Sequence, residues 1–263
     1  MNAFIQEVRN TNNDINLTNE CYKKYTLYID KIYEYSISKY FECEELIKHY
    51  KSIKFDEMDD NKIYQEICWV IYSSGFKNTI IQKYWPNITK AYYNFNLETI
   101  TKEYEDSYSS AKLICKRSNF NNINKAKFCI YNAHRIAHIN ISLQNIGLKG
   151  ILKAIVNMDE LNIYNMIPEI KNQLGFKGIG NITIFHFLKN IGVNIFKPDI
   201  HVSRILKYIG LFEETSSQKE MFYILKQISE SLKLDVSSLD TALFIFGKNN
   251  ESNLEYMLEK LVK

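Results

Sequence analysis

Proline and glycine are scarce in this chain, at 3 and 9 of 263 residues. So few breakers argue against a sandwich or barrel built on many tight turns, and for long helices. No uncharged apolar run is long enough to span a bilayer. Residues 1–10 include Glu7 and Arg9 and no apolar stretch, so no signal peptide is expected. The five cysteines (Cys21, Cys43, Cys68, Cys115, Cys129) are scattered and form no CxxC pair. That usage points to reduced thiols in a cytoplasmic protein. A large charge of one sign is missing too: the formal net charge is +3 and the sequence pI is near 8.4. Such a balance permits a nucleic-acid partner without requiring one.

What the chain has is apolar periodicity. It is long enough to bury a substantial core, as one domain or two closely packed lobes. Tyr25, Tyr28, Ile29, Ile32, Tyr33, Tyr40 and Leu46 recur at helical spacing, which predicts one long or broken helix over 21–50. After an acidic loop at 54–60, Asp59 or Asp60 caps a helix over 62–74. Ile63, Ile67, Trp69, Val70 and Ile71 make that helix too apolar for a solvent-facing element, so it should be central. A helix over 77–93 follows, which Pro86 should kink or interrupt. Asn96, with Glu98 behind it, reads as a further cap. More helices are expected near 106–116, 121–139, 148–158, 160–173, 216–231, 236–246 and 252–262. Residues 1–19 read as a loose arm or short strand. His134 and His138 share a helix face and could ligate zinc, but no matching ligand pair is evident, so no metal is expected.

The stretch from Leu174 to Leu206 organises the rest. Gly175, Gly178 and Gly180 concentrate backbone freedom in a turn between two apolar-periodic segments. Residues 181–191 read as a helix through Ile182, Phe185, Phe187 and Leu188, stopped by Gly192. Pro198 and Asp199 then open another helix carrying Val202, Ile205 and Leu206. A glycine turn at a helix start is a place where a phosphate can meet bare backbone N–H groups.

Phe176-Lys177-Gly178-Ile179-Gly180, followed by Lys197-Pro198-Asp199-Ile200-His201-Val202, resembles the helix-hairpin-helix DNA glycosylases. Residues 174–194, with Ile67-Cys68 and Ser74-Gly75-Phe76, also resemble bacterial 3-methyladenine DNA glycosylase I. Together the two likenesses cover roughly residues 60–210. They imply an all-α, two-lobed fold, with a middle lobe of about 60–190. Residues 1–59 and 191–263 would form the second lobe, and the active site would lie in a cleft between them. The resemblance makes Asp199 the catalytic carboxylate. It also places Lys177, Gly178, Ile179, Gly180, Thr183, Lys197, His201 and Arg204 on the DNA backbone. Phe76, Lys77 and Asn78 become candidates for filling the gap left by an extruded nucleotide. Trp69, Tyr72 and Ser73 become candidates for the base pocket, against the plainer reading of Trp69 and Tyr72 as core aromatics. The partner implied is duplex DNA with a damaged base, met by a monomer in the cytoplasm. No cofactor is implied beyond an alkali ion that the hairpin could hold.

Bifunctional members of that family carry a lysine two residues after the last hairpin glycine, where it forms a Schiff base with the sugar. Here that position is Ile182, which implies base removal without strand cleavage, although Lys177 and Lys197 are nearby amines. The zinc-binding residues and the base-recognising glutamate of 3-methyladenine glycosylase I have no counterpart; Val70 takes the glutamate's place. An alkylated purine is the first expected substrate and 8-oxoguanine the second. A DNA-binding protein that kept the hairpin and lost turnover is the alternative of a different class.

Overall fold

The computed structural model describes residues 19–211 and 218–262, and every regular element among them is helical. The expected arm at 1–19 and the start of the helix expected at 216 lie almost wholly outside the described residues. The chain divides into two compact units, one made of Ile53–Val193 and the other of Met1–Ser52 with Asn194–Lys263.

The discontinuous unit opens with α1 (Asn19–Lys39) and α2 (Phe41–Ser52), so the expected long helix is broken, at Tyr40. The continuous unit follows. After a 3-10 turn at Phe55–Glu57 come α3 (Asp60–Ser73) and α4 (Asn78–Ala91). A second 3-10 turn, Tyr93–Phe95, leads to α5 (Leu97–Glu103), α6 (Tyr108–Ser118) and α7 (Ile123–Ser142). Then come α8 (Gly147–Val156), α9 (Glu160–Asn165), α10 (Ile167–Leu174) and α11 (Thr183–Asn190). The chain returns to the first unit with α12 (Ile200–Tyr208), α13 (Gln218–Leu232), α14 (Val236–Asn249) and α15 (Leu254–Val262).

The helix starts follow local chemistry. Asp59 accepts from the Lys62 N–H at 2.7 Å, Asn96 from Thr99 at 2.8 Å and Asn122 from Lys125 at 3.1 Å. Each such cap contributes about 1 kcal/mol by satisfying a donor that has no partner inside the helix. Two expectations change. Of the kink or interruption expected at Pro86, the interruption does not occur: α4 runs through it with Ile81 and Ile88 buried on one side and the proline exposed on the other. Packing of the apolar stripe outweighs the one missing backbone hydrogen bond. The helix expected over 160–173 splits at Met166, because Pro168 belongs in the first turn of a new helix, where a missing N–H costs nothing.

Each unit has one helix buried almost all round. In the continuous unit it is α3, packed against α7 and α11, as its unbroken apolar surface predicts. It contributes Tyr64 and Tyr72, which lie with Tyr92 and Tyr104 in the core, all buried and with every hydroxyl placed. Tyr64 donates to the Cys129 carbonyl at 3.1 Å, Tyr104 to Ala91 at 2.8 Å, and the Tyr72 and Tyr92 hydroxyls pair at 3.1 Å. A buried hydroxyl left unpaired would cost about 1–3 kcal/mol, so these bonds are what make tyrosine tolerable in a core. In the discontinuous unit the central helix is α14, which packs on α1, α2 and α12. Among the described residues no helix is long and apolar enough to cross a membrane.

Candidate active site

The hairpin of the continuous unit is α10, the loop 175–182 and α11. Gly175 closes α10 in the left-handed region at φ 65°, its N–H donating to the Lys171 carbonyl at 2.9 Å. Gly178 also has positive φ, 78°, and a Cβ there would lie 2.7 Å from the Phe128 ring. Glycine at 178 is therefore required by the fold alone. Gly180 differs: its φ is ordinary, and a Cβ would meet only Thr183 Oγ1, at 3.5 Å. Among the described residues no close contact demands glycine at 180. The second helix ends on a full glycine stop. Gly192 donates to Lys189 at 3.0 Å and Val193 to Leu188 at 3.0 Å, with Gly192 at φ 93°.

The loop and the turn after α3 border one open recess of about 620 Å³, lined by Ser74 and by Gly178, Ile179, Gly180, Asn181, Ile182 and Thr183. Ile179 is buried and anchors the loop, whereas Ile182 is 42% exposed. The Gly180 N–H, expected to be open for phosphate, is taken: it donates to Thr183 Oγ1, which also bonds the Gly180 carbonyl at 3.2 Å. A phosphate oxygen would have to replace that hydroxyl as acceptor. Lys177 is exposed, with its ammonium 3.8 Å from the centre of the Tyr131 ring.

Phe76, Lys77 and Asn78 are exposed in the turn before α4, where Gly75 takes φ 76° with open space around it. Lys125 fastens this turn. Its amine donates to the Ile71 carbonyl and, at 2.7 Å, to that of Ser74, and it sits 5.4 Å from the centre of the Phe76 ring. Burial pushes the Lys125 pKa below its ordinary value. The base-pocket candidates fare differently. Tyr72 is 1% exposed among Trp85, Tyr92 and Phe120, and burial pushes its hydroxyl pKa well up. Ser73 is buried too, bonded to the Val70 carbonyl at 3.2 Å. Trp69 is half-buried, edge-on to Trp85 at 4.9 Å. Tyr72 and Ser73 thus lie in the packed interior around α3, whereas Trp69 keeps an accessible part.

In the discontinuous unit Asp199 is 8% exposed, and both of its carboxylate oxygens have partners. Oδ1 caps α12, accepting from the His201 N–H at 3.0 Å and the Val202 N–H at 3.1 Å. Oδ2 pairs with the Lys197 ammonium at 3.2 Å. Lys197 was expected on the DNA backbone. Its side chain is 19% exposed and turned to Asp199, 4.7 Å from the centre of the Phe244 ring. Its backbone N–H donates to buried Asp240 at 3.1 Å. His201 lies edge-on to the same Phe244 ring at 5.6 Å, with Gly247 giving it room: a Cβ there would come within 2.9 Å of the His201 Cβ. Arg204 is exposed and paired with Glu251 at 3.4 Å.

Sequence reasoning missed the residues behind these groups: Asp240 and Phe244 behind the Lys197–Asp199 pair, and Asn132 behind the hairpin. A signal existed in each case. Asp240 is the one carboxylate on α14, followed by Ala242, Leu243, Ile245 and Phe246, and Asn132 lies on the buried side of α7 between Ile130 and Ala133. An unexplained polar group on an apolar face is one that something must satisfy. His134, set aside as a zinc ligand, has Nε2 at 2.7 Å from the Tyr104 carbonyl.

No protein-family model matches the chain, and no curated protein matches it by sequence. Two solved structures do. One is the Methanocaldococcus jannaschii 8-oxoguanine glycosylase/lyase in complex with a 15mer DNA containing 8-oxoguanine. It has a TM-score of 0.56 and 19% identity, over 84% of this chain and 97% of that one. The other is the 8-oxoguanine DNA glycosylase of Thermotoga maritima, with a TM-score of 0.56 and 17% identity, over 86% and 98% of the two chains. The chain thus has the all-helical fold of these glycosylases. Neither comparison shows the local resemblance to 3-methyladenine DNA glycosylase I.

Proposed function

We propose that this chain is a DNA repair glycosylase that binds duplex DNA, extrudes a damaged base and cleaves its N-glycosidic bond. The observation that carries the reading is a fold shared over 97% of a DNA-bound glycosylase. A base stacked in a duplex is unreachable, so extrusion comes first, at a cost of a few kcal/mol. The C1′–N bond then breaks with positive charge developing on the sugar. A carboxylate held in place beforehand stabilises that charge without reorganising as it forms. Asp199 fits the role, held by two backbone donors and one ammonium. Ile182 offers no amine, so water would complete the reaction and leave the strand intact with an abasic site.

The substrate is read from the neighbours' chemistry. Both are named for 8-oxoguanine, which therefore precedes an alkylated purine as the base to test. In this reading the protein acts as a monomer in the cytoplasm and needs no cofactor. The deciding experiment is release of free base from a panel of duplexes, each carrying one lesion. Release from none, with duplex binding intact, would leave a DNA-binding protein in place of an enzyme.

A second reading rests on one distance, the 3.2 Å between the Lys197 amine and Asp199. An amine whose proton can pass to a neighbouring carboxylate can attack C1′ itself. The result would be a glycosylase that also cuts the strand. Borohydride trapping separates the two readings, because reduction requires an imine. An adduct that disappears in Lys197→Ala would establish the second.

A further inference from the structure

The hairpin rests on one face of α7, and the residues that hold it have no part in the chemistry above. Phe128, Tyr131, Asn132 and Arg135 follow one another at i, i+3, i+4 and i+7, so they form a single stripe. Asn132 is wholly buried, and its carboxamide serves one loop residue. The Lys177 N–H donates to Asn132 Oδ1 at 2.8 Å, and Asn132 Nδ2 donates to the Lys177 carbonyl at 2.9 Å. One turn on, Arg135 closes the end of α10, donating to the Leu174 carbonyl at 3.0 Å and to Gln173 at 3.1 Å. Phe128 is the ring that a Cβ on Gly178 would strike. Tyr131 carries the Lys177 ammonium over its ring at 3.8 Å. A free lysine side chain loses considerable rotamer freedom when an anion fixes it, and here part of that loss precedes binding.

We propose that α7 is the positioning element of the hairpin, Asn132 setting the backbone of Lys177 and Tyr131 its ammonium, so that the loop meets a DNA phosphate already formed. This rests on the reading of the hairpin as a DNA contact. The chemistry is compatible with an anion arriving. A ring quadrupole attracts the ammonium without neutralising it, so the charge remains available to phosphate. A loop held from behind also binds without a large ordering cost.

The test is binding of undamaged duplex DNA, followed by fluorescence anisotropy over a salt series. It compares the unaltered protein with Lys177→Ala, Tyr131→Leu, Tyr131→Phe and Asn132→Leu. Lys177→Ala is expected to weaken binding on every sequence and to make the salt slope shallower by about one. Tyr131→Leu is expected to weaken binding about threefold. Tyr131→Phe should restore it, since the ring alone is needed, and Tyr131→Leu should add nothing in the Lys177→Ala background. Asn132→Leu should weaken binding further; if that core change prevents folding, the two Tyr131 variants decide alone. Unchanged affinity in Tyr131→Leu, or additive losses in the double variant, would overturn the positioning role. The hairpin would remain a DNA contact in that case if Lys177→Ala still flattened the salt slope. Failure of the unaltered protein to bind duplex DNA would overturn this inference and the proposed function together.

Discussion

The loop 175–182 and the segment 197–199 are both short connections leading into a helix, yet they handle polar groups in opposite ways. The hairpin loop is held from behind by side chains of α7 and leaves Lys177, Gly180 and Ile182 outward. The 197–199 segment turns its charges inward: Asp199 and Lys197 face each other, with Asp240 and Phe244 at the lysine. In the proposed function the difference would separate two tasks. Gripping a phosphate asks for accessible donors that do not depend on sequence. Stabilising a developing cation asks for a fixed charge in a site of low dielectric, where it acts most strongly.

The largest expected effect tests the inward-facing group. Asp199→Asn retains a good N-cap, because asparagine caps as well as aspartate, and removes only the charge. Base release should fall by about a hundredfold or more while duplex affinity is unchanged or tighter. Normal turnover would reduce Asp199 to a cap. Folding stability should drop by only about 1–3 kcal/mol, as Lys197 loses its partner, which a denaturant titration would measure.

Next come the two hairpin glycines, which the structure assigns to different causes. Gly178→Ala meets both positive φ and the Phe128 ring, so it should lower stability by about 1–3 kcal/mol with or without DNA. Gly180→Ala should leave stability within about 0.5 kcal/mol. It should instead weaken duplex binding on all sequences alike, because its added Cβ faces outward. Equal melting temperatures for the two variants would erase the distinction drawn between them.

Ile182→Lys sharpens the comparison by adding an amine to the outward-facing region. Trace strand cleavage and a weak borohydride adduct are expected only if the loop presents residue 182 to the sugar. A clean, intact product would assign that exposed position to binding alone. The smallest effect is expected at the exposed Arg204–Glu251 pair. Glu251→Ala should change stability by less than about 1 kcal/mol, since solvent screens such pairs. If Arg204 is a phosphate contact, the same change should strengthen duplex binding at low salt by freeing the guanidinium.

Much of this was legible in the residues themselves. The shortage of breakers and the 3.6-residue apolar period identified an all-helical chain, because both act locally. Caps such as Asp59 and Asn96 were readable for the same reason, each needing only the N–H groups two or three residues ahead. Glycine positions in the hairpin and the Pro-Asp start of α12 were equally visible. Tertiary packing decided what no local rule contains. It set Lys197 beside Asp199 as an ion-pair partner and placed Tyr72, a pocket candidate, in the core. It supplied Asp240, Phe244 and Asn132, which lie 43, 47 and 45 positions from Lys197, Lys197 and Lys177. It also divided two similar glycines, one fixed by a ring fifty positions away and the other under no close contact among the described residues. Short-range hydrogen bonding and periodicity can be read along a chain; which side chain satisfies a buried polar group depends on which helices meet, and only the packed fold brings them together.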